Sequence, residues 1–130
     1  MFDLTIRVAD HVGALAEIGE ALGAAGVSIE GGGAFGPVAH FLVADPEAAL
    51  RALGPDRIIA VRKPLVQRLD QETPGQVGAL TRLMADAGIR IDALYSDHTG
   101  NLILLVDNPE AGATVSATWT AHQQTSTTTN

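Results

Sequence analysis

Glu72-Thr73-Pro74-Gly75-Gln76-Val77 leaves a strand and turns straight into a helix, and the chain contains this arrangement twice. Upstream, Asp10-His11-Val12-Gly13-Ala14-Leu15 occupies the same place in a similar frame. Gly13 and Gly75 stand 62 positions apart, and so do Gly26 and Gly88. After each later glycine the chain reads apolar-polar-apolar-acidic, as Val27-Ser28-Ile29-Glu30 and Ile89-Arg90-Ile91-Asp92. Phe41-Leu42-Val43 and Ile103-Leu104-Leu105 keep the same offset. Asp45-Pro46-Glu47-Ala48 returns as Asp107-Asn108-Pro109-Glu110-Ala111, with one extra residue. Four landmarks in one register mark an internal duplication, which sets the organisation of the chain before any single element is assigned.

The duplication divides 130 residues into a first repeat over 1–63, a second over 64–119 and a tail over 120–130. Each repeat is near the size at which a lone core is marginal, so the repeats are expected to pack on each other, on a second chain, or both. The chain has no cysteine, which excludes disulfides and thiolate metal sites. His11, His40, His98 and His122 lack metal-ligand spacing, and no metal or cofactor is expected. No run of roughly 18 apolar residues occurs, so no membrane span is expected. The start, Met-Phe-Asp-Leu-Thr, lacks the basic flank and apolar core of a signal peptide, and a cytoplasmic address is expected. A net charge of −7 argues against nucleic acid, whose binding relies on Lys and Arg against phosphates.

Taken in order, Phe2, Leu4, Ile6 and Val8 alternate with Asp3, Thr5, Arg7 and Ala9, the pattern of a half-buried strand. Leu15, Ile18 and Leu22, with Ala14, Ala21 and Ala25, form the apolar stripe of a helix. Gly26 ends it at a position that needs positive φ. Val27–Gly31 is predicted as the second strand, and Gly31-Gly32-Gly33 with Gly36-Pro37 as a loose, flexible hairpin tip. Val38–Ala44 is the third strand. Asp45 at the N-cap and Pro46 at the first helical position start a short helix to Leu53, and Ile58–Val61 is the fourth strand. The second half predicts a strand over Leu65–Leu69 and a helix with Val77, Leu80, Met84 and Ala87 on its stripe. Strands Ile89–Tyr95 and Leu102–Val106 follow around a Thr99-Gly100-Asn101 turn. Pro109–Trp119 is a weaker helix, because Gly112, Thr114 and Val115 are poor helix formers, with Trp119 as its packing anchor. No clear eighth strand follows, and Gln123–Asn130 is predicted as disordered. The order is βαββαβ, an α+β pattern in which helices cover one face of an antiparallel sheet.

The chain resembles the tandem ACT domain proteins. Thr73-Pro74-Gly75-Gln76-Val77, Leu80 and Ala87-Gly88-Ile89-Arg90-Ile91 match that family's strand–turn–helix–strand motif. Asp10-His11-Val12-Gly13 and Ala25-Gly26-Val27-Ser28-Ile29 are the weaker copy, with Val12 where the motif has proline. The resemblance covers residues 2 to about 118. It implies two ferredoxin-like βαββαβ repeats and a stand-alone, non-catalytic regulatory module, typically a homodimer. Such a module binds an amino acid or similar small ligand at domain interfaces and regulates a protein in trans. Asparagine, frequent in the family on the second strand, is replaced by Ser28 in one repeat and Arg90 in the other.

The turns suit that role physically. A helix start carries unpaired N–H groups and a partial positive charge, and glycine lets a ligand reach the backbone. A carboxylate fits at Gly13-Ala14-Leu15 or Gly75-Gln76-Val77, with Asp10, Asp70 or Glu72 near an ammonium group. The candidate ligand-binding residues are Asp10, His11, Val12, Gly13, Ala14, Leu15 and Ser28 in the first repeat. Those in the second are Glu72, Thr73, Pro74, Gly75, Gln76, Val77 and Arg90. The competing local reading is that Asp10 or Thr73 merely caps its helix. Arg90 either pairs with a ligand carboxylate or bridges to Asp92. The alternative function is a structural protein acting through oligomerisation, its ligand turns vestigial, since sheet edges and the helix-free face need covering. Arg/Asn and Cys signatures of small βαββαβ enzymes and carriers are missing, and no catalytic residue is expected.

Overall fold

A computed structural model describes residues 1–70 and 72–128. The chain divides into two compact units, Met1–Lys63 and Pro64–Asn130. The first contains β1 (Phe2–Arg7), α1 (Ala14–Ala24), β2 (Gly31–Phe35), β3 (Val38–Val43), α2 (Pro46–Leu53) and β4 (Ile58–Arg62). Its antiparallel sheet has the order β2-β3-β1-β4, the ferredoxin-like arrangement of a βαββαβ chain. Period-2 alternation decides which face each residue takes. Leu4, Ile6, Ala39 and Val43 point at the helices and pack with Ile18 and Leu22 of α1 and Ala49 and Leu53 of α2. On the other face Thr5 stands opposite His40. There the fully buried Asp3 accepts hydrogen bonds from the Thr5 hydroxyl at 3.1 Å and from His40 Nδ1 at 3.2 Å. A buried carboxylate needs such partners, and His40 is accordingly a satisfied sheet-face residue.

β2 differs from the expectation. It begins at Gly31 and runs through the three glycines to Phe35, while Val27–Glu30 precedes it as an irregular segment. The loose hairpin expected over Gly31–Pro37 is therefore a paired strand closed by Gly36-Pro37, with Gly36 at φ 61°. The reason is close approach. A Cβ on Gly32 would lie 1.8 Å from the His40 carbonyl oxygen, and φ there is +118°. Glycine is depleted in strands on average, but here only glycine lets β2 lie against β3.

The second unit contains β5 (Leu65–Arg68), α3 (Gln76–Asp86), β6 (Ile91–Ser96), β7 (Asn101–Val106) and α4 (Pro109–Thr128). Its antiparallel sheet has the order β5-β7-β6, which is the first unit's order without the last strand. Leu80 and Met84 of α3, Leu102, Leu104 and Val106 of β7, Ile89 and Trp119 form its core. No eighth strand is present among the described residues, in line with the sequence. The helix does not stop near Trp119, however, but continues through Thr128. The expected disorder from Gln123 onward is thus replaced by helix up to Thr128, and residues 129 and 130 lie outside the described residues. Tertiary contact overrides weak propensity here. Trp119 is buried in the core, and the Gln67 side chain, itself buried, accepts from the Ser116 hydroxyl and donates to Thr120 Oγ1 at 2.9 Å.

The duplication extends to the dihedral angles. α1 and α3 are each preceded by a left-handed glycine, Gly13 at φ 94° and Gly75 at φ 91°. They end at Gly26 and Gly88, at φ 72° and 73°. Val27 N–H donates to the Leu22 carbonyl and Ile89 N–H to the Met84 carbonyl, both at 2.9 Å, the long return bond that closes a left-handed helix end. α2 and α4 are capped alike by the residue before proline: Asp45 accepts from Ala48 N–H at 3.0 Å and Asn108 from Ala111 N–H at 3.1 Å. The extra residue, Asp107, accepts from Arg90 N–H at 3.0 Å.

Candidate functional site

In the second unit the end of β5, the start of α3 and the β6–β7 hairpin enclose a cavity of about 300 Å3. Leu69, Val77 and Leu102 supply apolar walls; Asp70, Thr73, Gln76 and Ser96 supply polar groups; Gly75, Gly78 and Gly100 leave backbone open to it. Neither Thr73 nor Asp10 caps its helix. Glycine holds the N-cap of both α1 and α3, and no side chain accepts there. The capping alternative thus gives way to a turn in which Thr73 Oγ1 donates back to Asp70 Oδ2, and Glu72 N–H donates to Asp70 Oδ1 at 3.1 Å. The N–H groups of Gln76, Val77 and Gly78 meet no acceptor among the described residues. They form the positive end of the helix.

The bonds from Thr73 and Glu72 hold the Asp70 carboxyl below its usual range, so it remains an anion. Each of its oxygens keeps a further lone pair for a donor. Across the cavity the hairpin is fixed by Asp97. Burial pushes its carboxyl up, but donors from Asn101 and Thr99 outweigh that and hold it low. Asp97 Oδ1 accepts from Asn101 N–H at 2.8 Å and Thr99 N–H at 3.0 Å, and Oδ2 from Asn101 Nδ2 at 3.0 Å. The cavity thus combines uncapped helical N–H groups, one persistent carboxylate and apolar walls.

The equivalent turn of the first unit has different chemistry. Asp10, His11, Val12, Gly13, Ala14 and Leu15 line a broader, shallower depression with Val8, Ala34 and Gly36. Ala14 N–H already donates to the His11 carbonyl at 3.2 Å. His11 Nε2 lies 3.5 Å from Glu17 Oε1. Where the second unit has Thr73, Gln76, Ser96 and Asp97, the same offset places His11, Ala14, Ala34 and Phe35. Phe35 is 65% exposed and Val12 fully exposed.

The structure brings Thr73, Gly75, Gln76 and Val77 together in one cavity with Asp70. Glu72 and Pro74 belong to the same turn but do not line it. Ser28 and Arg90 do not join either site. They follow Gly26 and Gly88, at the far ends of helices of 11 residues, about 16 Å from the turns at 1.5 Å per residue. Arg90 is exposed, with Nε 3.7 Å from Asp92 Oδ1, the bridge that competed with a ligand role. Sequence reasoning missed Leu69, Gly78, Ser96, Gly100 and Leu102. Ser96 and Gly100 come from the other hairpin, and only antiparallel pairing returns that hairpin to the turn. Among the described residues no cluster suited to a metal ion occurs, and no helix is long and apolar enough to cross a membrane.

No family model matches the chain, and no curated protein matches it in sequence. Among solved structures, the chain is similar to the regulatory subunit of aspartate kinase from Thermus thermophilus, in its ligand-free form. The TM-score is 0.60 at 18% identity, over 89% of this chain and 87% of that one. It is similar also to protein BT0572 from Bacteroides thetaiotaomicron, with a TM-score of 0.71 at 18% identity over 88% and 84% of the two chains. At such identity the likeness establishes the fold alone: two α+β units built on antiparallel sheets, the first a complete βαββαβ and the second, against the expected pair of βαββαβ repeats, without its last strand among the described residues.

Proposed function

We propose that this chain is a non-catalytic regulatory module that binds a free amino acid, or a ligand of the same chemistry, in the cavity at Gly75. One observation carries the reading. Gln76, Val77 and Gly78, whose N–H groups meet no acceptor among the described residues, and the ionised Asp70 border the same small cavity. An α-carboxylate suits the first and an α-ammonium the second, while Leu69, Val77 and Leu102 receive an apolar or small side chain. The resemblance to tandem ACT proteins and the likeness to a regulatory subunit support this assignment. Regulation then acts in trans on a partner protein.

A thermal-shift screen against the twenty amino acids tests it, because a ligand bound only to the native state raises its stability. Selective stabilisation of about 5–20 °C by one or two of them at 100-fold excess over Kd is expected. Titration should give one strong site per chain, since the more open depression at the first turn has Ala14 and Ala34 where the second has Gln76 and Ser96. A flat response across the panel sinks the reading.

A second reading rests on the exposed Val12, Leu15 and Phe35 around the first turn. In this reading that turn is no ligand site but an apolar contact for a second copy of the chain, and the protein is a homodimer. Exposed apolar clusters of this kind mark interaction surfaces.

A further inference from the structure

Gln76 has two roles in the second unit. It is the first residue of α3 and a wall of the ligand cavity. Its side-chain Oε1 also accepts from Gln123 Nε2, on the late part of α4, at 3.0 Å. α4 is the helix in which the two units differ most, with 20 residues against 8 in α2. Beyond Trp119 its sequence is Thr-Ala-His-Gln-Gln-Thr-Ser-Thr-Thr, poor in strong helix formers. Among the described residues, Trp119 is the last residue of α4 in the buried core cluster. Two polar side-chain ties reach the stretch beyond it, from Thr120 to Gln67 and from Gln123 to Gln76.

We infer that Gln123 is a positioning residue for the ligand cavity, and that the last turns of α4 sense its occupancy through Gln76. The inference rests on the ligand reading above. With Oε1 held by Gln123, the Gln76 amide is fixed in orientation and directs its own Nε2 donors elsewhere. A carboxylate over the start of α3 takes a donor from Gln76 together with the backbone N–H groups. The two bonds share one amide, so each polarises and orders the other. Ligand binding therefore stabilises the far end of α4, and the docked α4 strengthens ligand binding by the same factor, as linkage requires. A helix end of low intrinsic stability suits such a reporter, because a modest coupling changes its population measurably.

The test uses the full chain, wild type and Gln123→Ala, with the twenty L-amino acids added singly as probes. Binding is read by thermal shift, and amide hydrogen exchange is followed over residues 120–128. The expected result is an amino acid that stabilises the wild type and slows exchange in this segment at least threefold. Gln123→Ala should bind it roughly three- to tenfold more weakly, with the slowing lost, while the apo variant keeps wild-type exchange over α3 and β7. Thr120→Val, which cuts the bond to Gln67 and does not touch Gln76, should leave affinity within about twofold. Equal affinity in wild type and Gln123→Ala, or unchanged or faster exchange at 120–128 on binding, overturns the coupling while leaving the site intact. No response of the wild type to any of the twenty overturns the ligand reading, and the coupling with it. Gln76 side-chain amide resonances that stay unchanged in apo Gln123→Ala remove the physical link even then.

Discussion

Asp97 turns the β6–β7 hairpin by accepting from both backbone and side chain of Thr99 and Asn101. Its carboxyl is held below the ordinary value of 3.8, as is that of Asp70. A depressed carboxyl contributes stability that is present above the unfolded pKa and is lost as pH falls through the folded one. The second unit should therefore lose stability as pH drops below about 4, and Asp97→Ala should flatten that acid slope in denaturant titrations. An equally steep slope in the variant would show that Asp97 is not a source. Glycines make a second residue-scale contrast. At Gly75 a Cβ would meet nothing within 4 Å, whereas at Gly32 it would meet backbone at 1.8 Å. Gly75→Ala should cost only the left-handed backbone term, about 1–2 kcal/mol. Gly32→Ala should cost on the order of 3 kcal/mol or more, as read by chemical denaturation. The triple glycine looked like a break in the chain because composition reports what glycine permits, not that a neighbouring carbonyl requires it.

α4 shows how an element can be held in place by tertiary contacts against its own propensity. Gly112, a poor helix former, lies where a Cβ would come within 2.8 Å of Leu65 Cδ1 and 2.9 Å of Val106 Cγ2, so its absence of side chain lets the helix close on β5 and β7. Trp119 anchors the helix in the core, yet its indole Nε1 is buried with no partner among the described residues. Trp119→Phe, which discards an unpaired donor at some loss of volume, should cost about 1 kcal/mol or less. Trp119→Ala should cost about 3–5 kcal/mol. Near-equal losses in thermal denaturation would mean that the indole N–H matters after all. The cap of α2 was readable from sequence, because Asp45-Pro46 places an acceptor before a residue preset for the first turn, whereas the matching cap by Asn108 is seen only in the structure. Asp45→Ala should lower stability by about 1 kcal/mol. The length of α4 was not readable. The side chains holding it, Gln67 and Gln76, are distant in sequence.

Across the molecule, two similar frames carry unlike turns. The second unit has Gln76, Ser96 and Asp97 near its turn, where the first has the apolar Ala14, Ala34 and Phe35 at the same offsets. If Val12, Leu15 and Phe35 seat a second copy, Phe35→Glu should shift the chain from dimer to monomer in light scattering while amino-acid stabilisation persists. A variant that remains dimeric would assign the contact elsewhere. Although the family resemblance implied a final strand for the second half that the described residues lack, the sequence by itself determined the βαββαβ order of the first half, the positive φ at Gly26 and the core faces. These follow from local dihedral preference and from periodicity, which a linear string records. Only the tertiary structure decided that Gly31–Phe35 is a strand, that α4 continues to Thr128, and that Ser96 and Gly100 close a cavity with Thr73 and Gln76. It also separated Ser28 and Arg90 from the turns by the length of a helix. Each of those depends on atoms brought together from distant positions, through a strand register or a helix's rise, and no local pattern encodes such a distance.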